Sequence, residues 1–337
     1  MNLGNASGLV KSREFGIAVI LVLAIGITAV LNPRFVTGSG FSDLLLSSAI
    51  FGVLAVGLAP VVVARHIDLS IASNTGLSAY IAASLIATYQ WGIVPAFLIG
   101  GACGLIIGSI NGLIVAGLRL PSLVVTLGTL FIVRGIDYQI AGGQKVTAQQ
   151  LPRSILDLGI DNFLGIPIVF WIVIVLTLFT AWWMKFTALG RSLYAIGSNP
   201  PTADVVGINV FRSTFVAFAF SGFMAGIGGV IYVARFAQVD SSAFINQELA
   251  VVTAVVVGGV NIFGGVGTAI GALLGALLVR TIIGALVALG VPAFWQQAVN
   301  GALLLVAIGL DRFLALRTAS RAQKVAEERE EEQSWRM

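Results

Sequence analysis

The sequence predicts an all-α polytopic membrane protein of about ten transmembrane helices, some short or broken, with both termini in the cytoplasm. Three observations carry this expectation. Hydrophobic residues make up 58% of the 337-residue chain, charged residues 10%, and the mean hydropathy is +0.99. The apolar residues gather into runs close to the roughly 20 residues needed to cross a bilayer. Lysine and arginine fall mostly on one side of those runs. A soluble domain carries about a quarter charged residues, and a chain of this size could not coat so much apolar surface with polar groups. An ordinary cytosolic enzyme is thereby excluded.

In chain order the spans are expected near 15–31, 43–64, 69–88, 92–117, 121–141, 163–184, 213–234, 245–263, 267–289 and 292–310. The first follows Lys11 and Arg13 as a signal peptide would, but it lacks a small-x-small cleavage site and more spans follow at once, so it reads as a membrane helix. With residues 1–14 placed in the cytoplasm, thirteen of the nineteen basic residues fall inside. They are Lys11, Arg13, Arg65, Arg119, Lys185, Arg191, Arg212, Arg312, Arg317, Arg321, Lys324, Arg329 and Arg336. Only Arg34, Lys145, Arg153 and Arg235 fall outside, while Arg134 and Arg280 lie within spans. This is the charge bias of cytoplasmic loops.

The fourth span carries Gly100, Gly104, Gly108 and Gly112 at strict four-residue spacing, and the ninth carries Gly267, Gly271 and Gly275. Such faces let helix backbones approach closely in lipid. The stretches GLIIGSINGLIV (104–115) and GTAIGALLGALLV (267–279) also resemble each other. An internal repeat and a chance likeness of two glycine-faced helices both account for that.

Polar residues in the spans mark cavities, pathways or helix ends. At the entry of the third span, Asp68 and Ser70 are expected to cap the helix start, with Arg65 and His66 in the headgroup region. Asn74 lies deeper, and Thr126 and Thr129 are polar on the otherwise apolar fifth span. Each can face a polar pathway or bond a neighbouring helix. Arg134 can snorkel outward or pair with Asp137. Around Asn261, Gly258-Gly259 and Gly264-Gly265-Val266-Gly267 interrupt the apolar run, which predicts a broken or short helix lining a cavity or packed in protein. The uncharged loop 262–266 is expected to pack inside the protein or against a partner.

The longest cytoplasmic connection, 185–212, predicts a short helix over 202–208 after Pro200-Pro201, capped by Thr202 and stopped by Gly207. It suits docking into a soluble partner. Within the transmembrane domain 15–312 no GxxxxGK[ST] loop, catalytic triad, carboxylate pair, voltage sensor or ion filter occurs, and the lone Cys103 and His66 leave no metal cluster. Powered transport would draw on a gradient or on another subunit. The tail 313–337 turns sharply charged and reads as a helix end passing into disorder.

Four segments in order, HIDLSIAS (66–73), GSINGLIVAGLRLPSLVVTLGTLFIVRG (108–135), GRSLYAIGSNPPTADVVGI (190–208) and ELAVVTAVVVGGVNIFGGVGTAIGALLGA (248–276), resemble permease subunits of bacterial ATP-binding-cassette importers. The resemblance is to the ribose, xylose, rhamnose and autoinducer-2 branch and covers about 15–312. It implies a non-enzymatic, multi-pass subunit of the bacterial cytoplasmic membrane, dimeric with itself or a paralogue. An ATPase with two nucleotide-binding cassettes would hold ATP and Mg, and a periplasmic or lipid-anchored binding protein would deliver the sugar. No cofactor on this chain and no nucleic acid are implied. The family's coupling element maps onto Thr202, Ala203, Asp204, Val205, Val206, Gly207 and Ile208, without the glutamate of a strict EAA box. Its path would run along the third, fifth and eighth spans, past Asn74, Thr126, Thr129 and Asn261. The alternatives are a stand-alone carrier or channel, which needs deep titratable groups, and a branched-chain amino acid permease of the same architecture.

Overall fold

The computed structural model describes residues 13–292, 294–309 and 313. The expected cytoplasmic segment before residue 13 and nearly all of the tail 313–337 lie outside the described residues. The chain is helical: α1 (Arg13–Leu31), α2 (Gly38–Val63), α3 (Ile71–Tyr89), α4 (Ile93–Leu118), α5 (Ser122–Ala141), α6 (Arg153–Ile160), α7 (Ile168–Phe186), α8 (Ala188–Ser198), α9 (Pro200–Val205), α10 (Val210–Phe236), α11 (Glu248–Val257), α12 (Ala269–Ala288) and α13 (Phe294–Gly309). Seven of them, α1, α2, α4, α5, α7, α10 and α12, are long and apolar enough to cross a membrane. The helix α3 has 19 residues but carries Ser73, Asn74, Thr75 and Ser78, all buried, so it sits inside the bundle rather than against lipid. The helices α11 and α13 are short and apolar.

The centre of the bundle is α2 with α10. The most apolar stretch of α2 is 94% buried and that of α10 is 78% buried, against 17% for α1 at the periphery. The helix α2 begins after Thr37, whose hydroxyl accepts the Gly40 amide, and ends where Arg65 turns left-handed at φ 68°. Its last carbonyls, of Val61 and Val62, are met by the His66 and Arg65 amides, so the chain can leave the helix with its backbone satisfied.

The glycine ladder of α4 packs on α10, backbone against backbone. A Cβ added at Gly104 would land on the Gly222 carbonyl oxygen, one at Gly108 on that of Phe218, and one at Gly226 on that of Gly100. Apolar helices in lipid gain little by leaving it for one another, so this contact is held by dense van der Waals packing that only glycine permits. A second seam joins α11 to α12: Cβ atoms at Gly271 and Gly275 would strike the carbonyls of Gly258 and Ala254. Gly267 is not in the helix. It lies in the turn before it, at φ 146°.

Three expectations are corrected. The sixth span begins at Ile168 rather than near 163, because Asn162–Phe163 and Ile166–Pro167 pair as an antiparallel hairpin whose tip, Leu164-Gly165, is left-handed at both positions. The eighth span is ten residues, Glu248–Val257, and its predicted end at 263 falls in a turn, because Gly259, Gly264 and Gly265 adopt positive φ that a helix cannot contain. The short helix of the 185–212 connection starts at Pro200, and its cap is Asn199, whose side chain accepts the Thr202 amide. Proline suits that first turn because its missing N–H would have had no partner there.

Basic residues of the connections separate by end. Arg65 touches the Gly264 turn, and His66 and Arg119 line one cleft with Pro200 and Asn209. Lys185 and Arg191 line another with Gly265 and Thr268. At the opposite end lie the Arg235–Asp43 pair and the Lys145–Asp240 pair, each 3.1 Å.

Candidate functional site

Between α2 and α3 the chain passes through residues 66–70 in neither helix nor strand, so no regular element satisfies its backbone. Hydroxyls on α5 do so instead. The Ile67 amide donates to Ser122 Oγ at 3.1 Å and the Leu69 amide to Thr126 Oγ1 at 3.1 Å, while the Thr126 hydroxyl lies 3.2 Å from the Ile67 carbonyl. Ser122, Thr126 and Thr129 recur at helical spacing, and the first two give this segment the hydrogen-bond partners that a regular element would supply.

Behind this strip lies a directed chain of hydrogen bonds. Thr129 donates to Asn111 Oδ1 at 2.6 Å, Asn111 Nδ2 to Ser70 Oγ at 2.8 Å, and Ser70 Oγ to Asp68 Oδ1 at 2.6 Å. Ser221 of α10 donates to Asp68 Oδ2 at 3.3 Å. Asp68, Ser70, Asn111 and Ser221 are all buried. The expected cap is thereby corrected. Asp68 accepts the Ser70 amide at 3.0 Å, one residue before α3 begins, and Ser70 makes no side-chain cap. Its hydroxyl is committed to the carboxylate instead. Burial raises the Asp68 carboxyl above its ordinary value, and the Ser70 and Ser221 hydrogen bonds oppose that shift.

Asn74 lies one turn into α3, donating to the Gly104 carbonyl at 3.1 Å and accepting from Ser78 at 3.0 Å. Because Gly104 also touches α10, this residue pins α3 to the first glycine seam. Thr126 and the half-buried Thr129 thus belong to the assembly around Asp68, while the Asn74 side chain bonds Gly104 and Ser78 beside it. Asn261 is apart from them. It sits in the turn after α11, where its Oδ1 accepts the Phe263 amide at 2.8 Å. Sequence reasoning missed Ser122, Asn111 and Ser221. The Ser122–Thr126–Thr129 stripe was a readable signal for the first, and Asn111 was hidden inside the glycine ladder.

Towards the end away from α9, Arg134 does pair with Asp137, at 3.2 Å, and also donates to the carbonyls of Ser241 and Ala243 at 3.1 and 2.9 Å. At the other end, the turn 258–267 joins its neighbours through backbone. The Gly265 amide donates to the Val63 carbonyl at 2.9 Å, and the Tyr194 hydroxyl of α8 to the Gly267 carbonyl at 2.8 Å. Gly197 lies so close that a Cβ there would strike the Val63 carbonyl. The loop 262–266 is packed on its backbone side, while Phe263 and Val266 stay about half exposed.

The helix α9 stands off this same end. Within Thr202, Ala203, Asp204, Val205, Val206, Gly207 and Ile208, only Ala203 is buried and Ile208 half-buried. Val205 is 87% and Val206 67% exposed, although both are apolar. Gly207, at φ 80°, ends the element as expected, with its amide on the Asp204 carbonyl and that of Ile208 on Ala203. A cleft of about 500 Å³ separates α9 from α4 and α10, bounded by Arg119, Asp204, Ile208 and Phe211 among others. His66 also lines it, with Nε2 3.5 Å from the Thr214 hydroxyl and its ring 5.8 Å from Phe218. Burial holds the His66 imidazole at a pKa of about 4, so it is neutral at pH 7. Among the described residues no three metal-ligating side chains come together.

A bundle of apolar helices with a buried polar joint and a short proline-led helix held off one end defines a multi-pass membrane permease. The chain belongs to the family described as the permease component of the branched-chain amino acid transport system, which it matches over residues 40–308. It is similar to the autoinducer 2 import system permease protein LsrC of Klebsiella pneumoniae, 35% identical over 303 residues covering 90% of this chain and 87% of that protein. The LsrC protein of Enterobacter sp. strain 638 is 34% identical over 303 residues, 90% of this chain and 88% of the relative. That of Escherichia coli K12 is 32% identical over 318 residues, 94% and 92% respectively. No solved structure matches the chain. The protein is the permease subunit of an ATP-binding-cassette importer and not itself an enzyme.

Proposed function

We propose that this permease carries a monosaccharide or a similar small polyol, autoinducer-2-like in character, across the bacterial cytoplasmic membrane. The observation that carries the substrate class is the 32–35% identity to autoinducer 2 import permeases along nearly the whole chain. In this reading the chain crosses the membrane ten times with both termini in the cytoplasm. The basic residues gathered at the end bearing α8 and α9 support that sidedness. The chain works as a pair, with itself or with a paralogue, and an extracytoplasmic binding protein hands it the sugar.

A separate ATPase with two cassettes, holding ATP and Mg, docks on α9. What supports the docking is the exposure of Val205 and Val206 beside the half-exposed Phe263 and Val266, an apolar face on the most basic end of the molecule. The buried assembly around Asp68 then acts as the joint between that end and the spans. It ties the segment 66–70 to α4, α5 and α10, so helices that must move together share one set of hydrogen bonds. Alternating access is a shift between two such arrangements, biased by the state of the ATPase. Asn74, Thr126, Thr129 and Asn261 border the path in this reading.

The test is purification of the tagged full-length protein in mild detergent, with mass spectrometry of what accompanies it. A tandem-cassette ATPase and a sugar-binding protein are the expected companions. They should be lost, or nearly so, from a Val205→Asp/Val206→Asp variant. Recovery of the chain alone from repeated preparations would favour a self-sufficient carrier, and an amino acid-binding protein in the complex would favour the branched-chain reading.

A further inference from the structure

At the end of the bundle away from α9, a chamber of about 350 Å³ opens between α2, α10, α12 and α13, roofed by the loop before α11. Its volume falls in the roughly 300–1,000 Å³ range of small-molecule sites. Aromatic rings form one side: Phe51 and Phe244 at 5.8 Å between centroids, and Tyr232 against Phe244 at 5.2 Å. Arg280 enters from α12, its guanidinium 4.6 Å above the Phe51 ring, and the amides of Gln247 and Gln296 complete the polar side.

Arg280 is the unusual member. Its guanidinium makes no hydrogen bond or ion pair among the described residues, and its Nε is buried with no partner. An arginine held this way leaves donors unpaired, which is costly unless something else accepts them. Nearby along the same helices, Ser48 Oγ of α2, Thr281 Oγ1 of α12 and Asn300 Oδ1 of α13 are also buried and unpartnered. Two carboxylates at this end are paired, Asp43 with Arg235 and Asp240 with Lys145. No carboxylate lines the chamber.

We infer that this chamber is an extracytoplasmic subsite for a small polyhydroxylated molecule, with Arg280 donating to its oxygens and the rings of Phe51, Tyr232 and Phe244 covering its C–H face. The chemistry favours a polyol over an amino acid. An α-ammonium would enter beside an unneutralised guanidinium and meet no lining carboxylate, whereas hydroxyl oxygens accept from arginine and exchange donors and acceptors with amides. The inference rests on the proposed sugar-import function and adds to it a site on the permease itself, away from Asn74, Thr126, Thr129 and Asn261.

The experiment is ATP-driven uptake of tritiated autoinducer 2, D-ribose and L-leucine into proteoliposomes holding the full assembly, with wild type, Arg280→Gln and Arg280→Lys permeases. Arg280→Gln should lower polyol uptake at subsaturating substrate by about tenfold or more, the scale of one charged hydrogen bond, while Arg280→Lys recovers part of it. The variant should co-purify with the ATPase and elute as a single peak at the wild-type position on size exclusion, which shows that it folds and assembles. If Arg280→Gln does not assemble, Gln247→Ala and Gln296→Ala are read the same way. On a Cys103→Ser background, Gln296→Cys should also be labelled more slowly by an impermeant maleimide when D-ribose or autoinducer 2 is present. Normal uptake by the arginine and glutamine variants, or labelling that neither polyol slows, overturns the subsite while leaving the importer intact. Wild-type uptake of leucine alone overturns the sugar reading and the subsite together.

Discussion

The two glycine seams use the same spacing for different ends. In the first, Gly100, Gly104 and Gly108 lie mid-helix, and two helices of 26 and 27 residues touch backbone to backbone along them. In the second, Gly271 and Gly275 meet α11, which is only ten residues long and is followed at once by a turn. The first seam also carries Asn111 between Gly108 and Gly112, at the place that Leu274 holds between Gly271 and Gly275. That one difference lets the first seam reach into the hydrogen-bonded joint around Asp68, while the second stays purely apolar at the equivalent place. Close approach is therefore a shared device. What it positions depends on the residue set among the glycines.

Gly104→Leu should break the comparison hardest. The added atoms would run into the Gly222 carbonyl and Gly226 backbone, which cannot move without parting α4 from α10. Overpacking typically costs 1–3 kcal/mol, and rigid backbone on both sides places this site at or above the top of that range, about 3 kcal/mol or more. Fluorescence-detected size exclusion should show aggregated or absent protein, and a wild-type peak with wild-type melting would refute the seam. Gly275→Leu should cost less, about 1–2 kcal/mol, because the struck carbonyl of Ala254 belongs to the ten-residue α11, which can shift as a short unit where the 27-residue α10 cannot. A larger loss at Gly275 than at Gly104 would reverse the ranking.

Asn111→Leu, which copies the second seam into the first, sharpens the contrast. It removes the acceptor of Thr129 and a donor to Ser70, at about 1–3 kcal/mol for the stranded groups. The melting temperature in detergent should fall while the protein still purifies as a single species. A stabilised variant would mean that the network is dispensable for the fold.

The smallest effect concerns pH at the foot of the first seam, where His66 packs on Phe218. Its pKa of about 4 in the fold lies below the ordinary 6.5, so the unfolded chain takes up the proton first. Neutral His66 contributes its full stabilisation above about pH 6.5, and the contribution is lost as pH falls from there towards 4. Melting of the wild type should therefore drop more steeply over that window than melting of His66→Gln. Parallel pH curves would show that the ring does not titrate between the two states.

Local signals were the legible ones. Apolar runs, glycine spacing, the stop at Gly207 and the broken eighth helix all follow from residues within a turn or two of one another. The joint was hard to read because its members are far apart in sequence: Asp68 meets Ser221, and Thr126 meets Leu69, through the packing of whole helices. Reading Asp68 and Ser70 as a local cap followed from proximity, whereas the fold bonds the two to each other and adds Ser221 of α10 and Asn111 of α4. Arg134 shows the same limit. Its pairing with Asp137 could be read from a spacing of three, but its bond to the Ala243 carbonyl spans 109 residues.

The backbone joint at Gly265 has a mechanical consequence. Its amide holds the end of α2 through Val63, Tyr194 of α8 holds the start of α12 through Gly267, and Gly197 is wedged against the same carbonyl of Val63. Because the Gly265–Val63 link runs through main chain and Gly197 beside it leaves no room for a methyl group, that contact has little slack to absorb a displacement. A thrust on the α8–α9 hairpin would reach the most buried helix of the bundle as from a lever on a fixed pivot, without the lost motion that compliant side chains would allow.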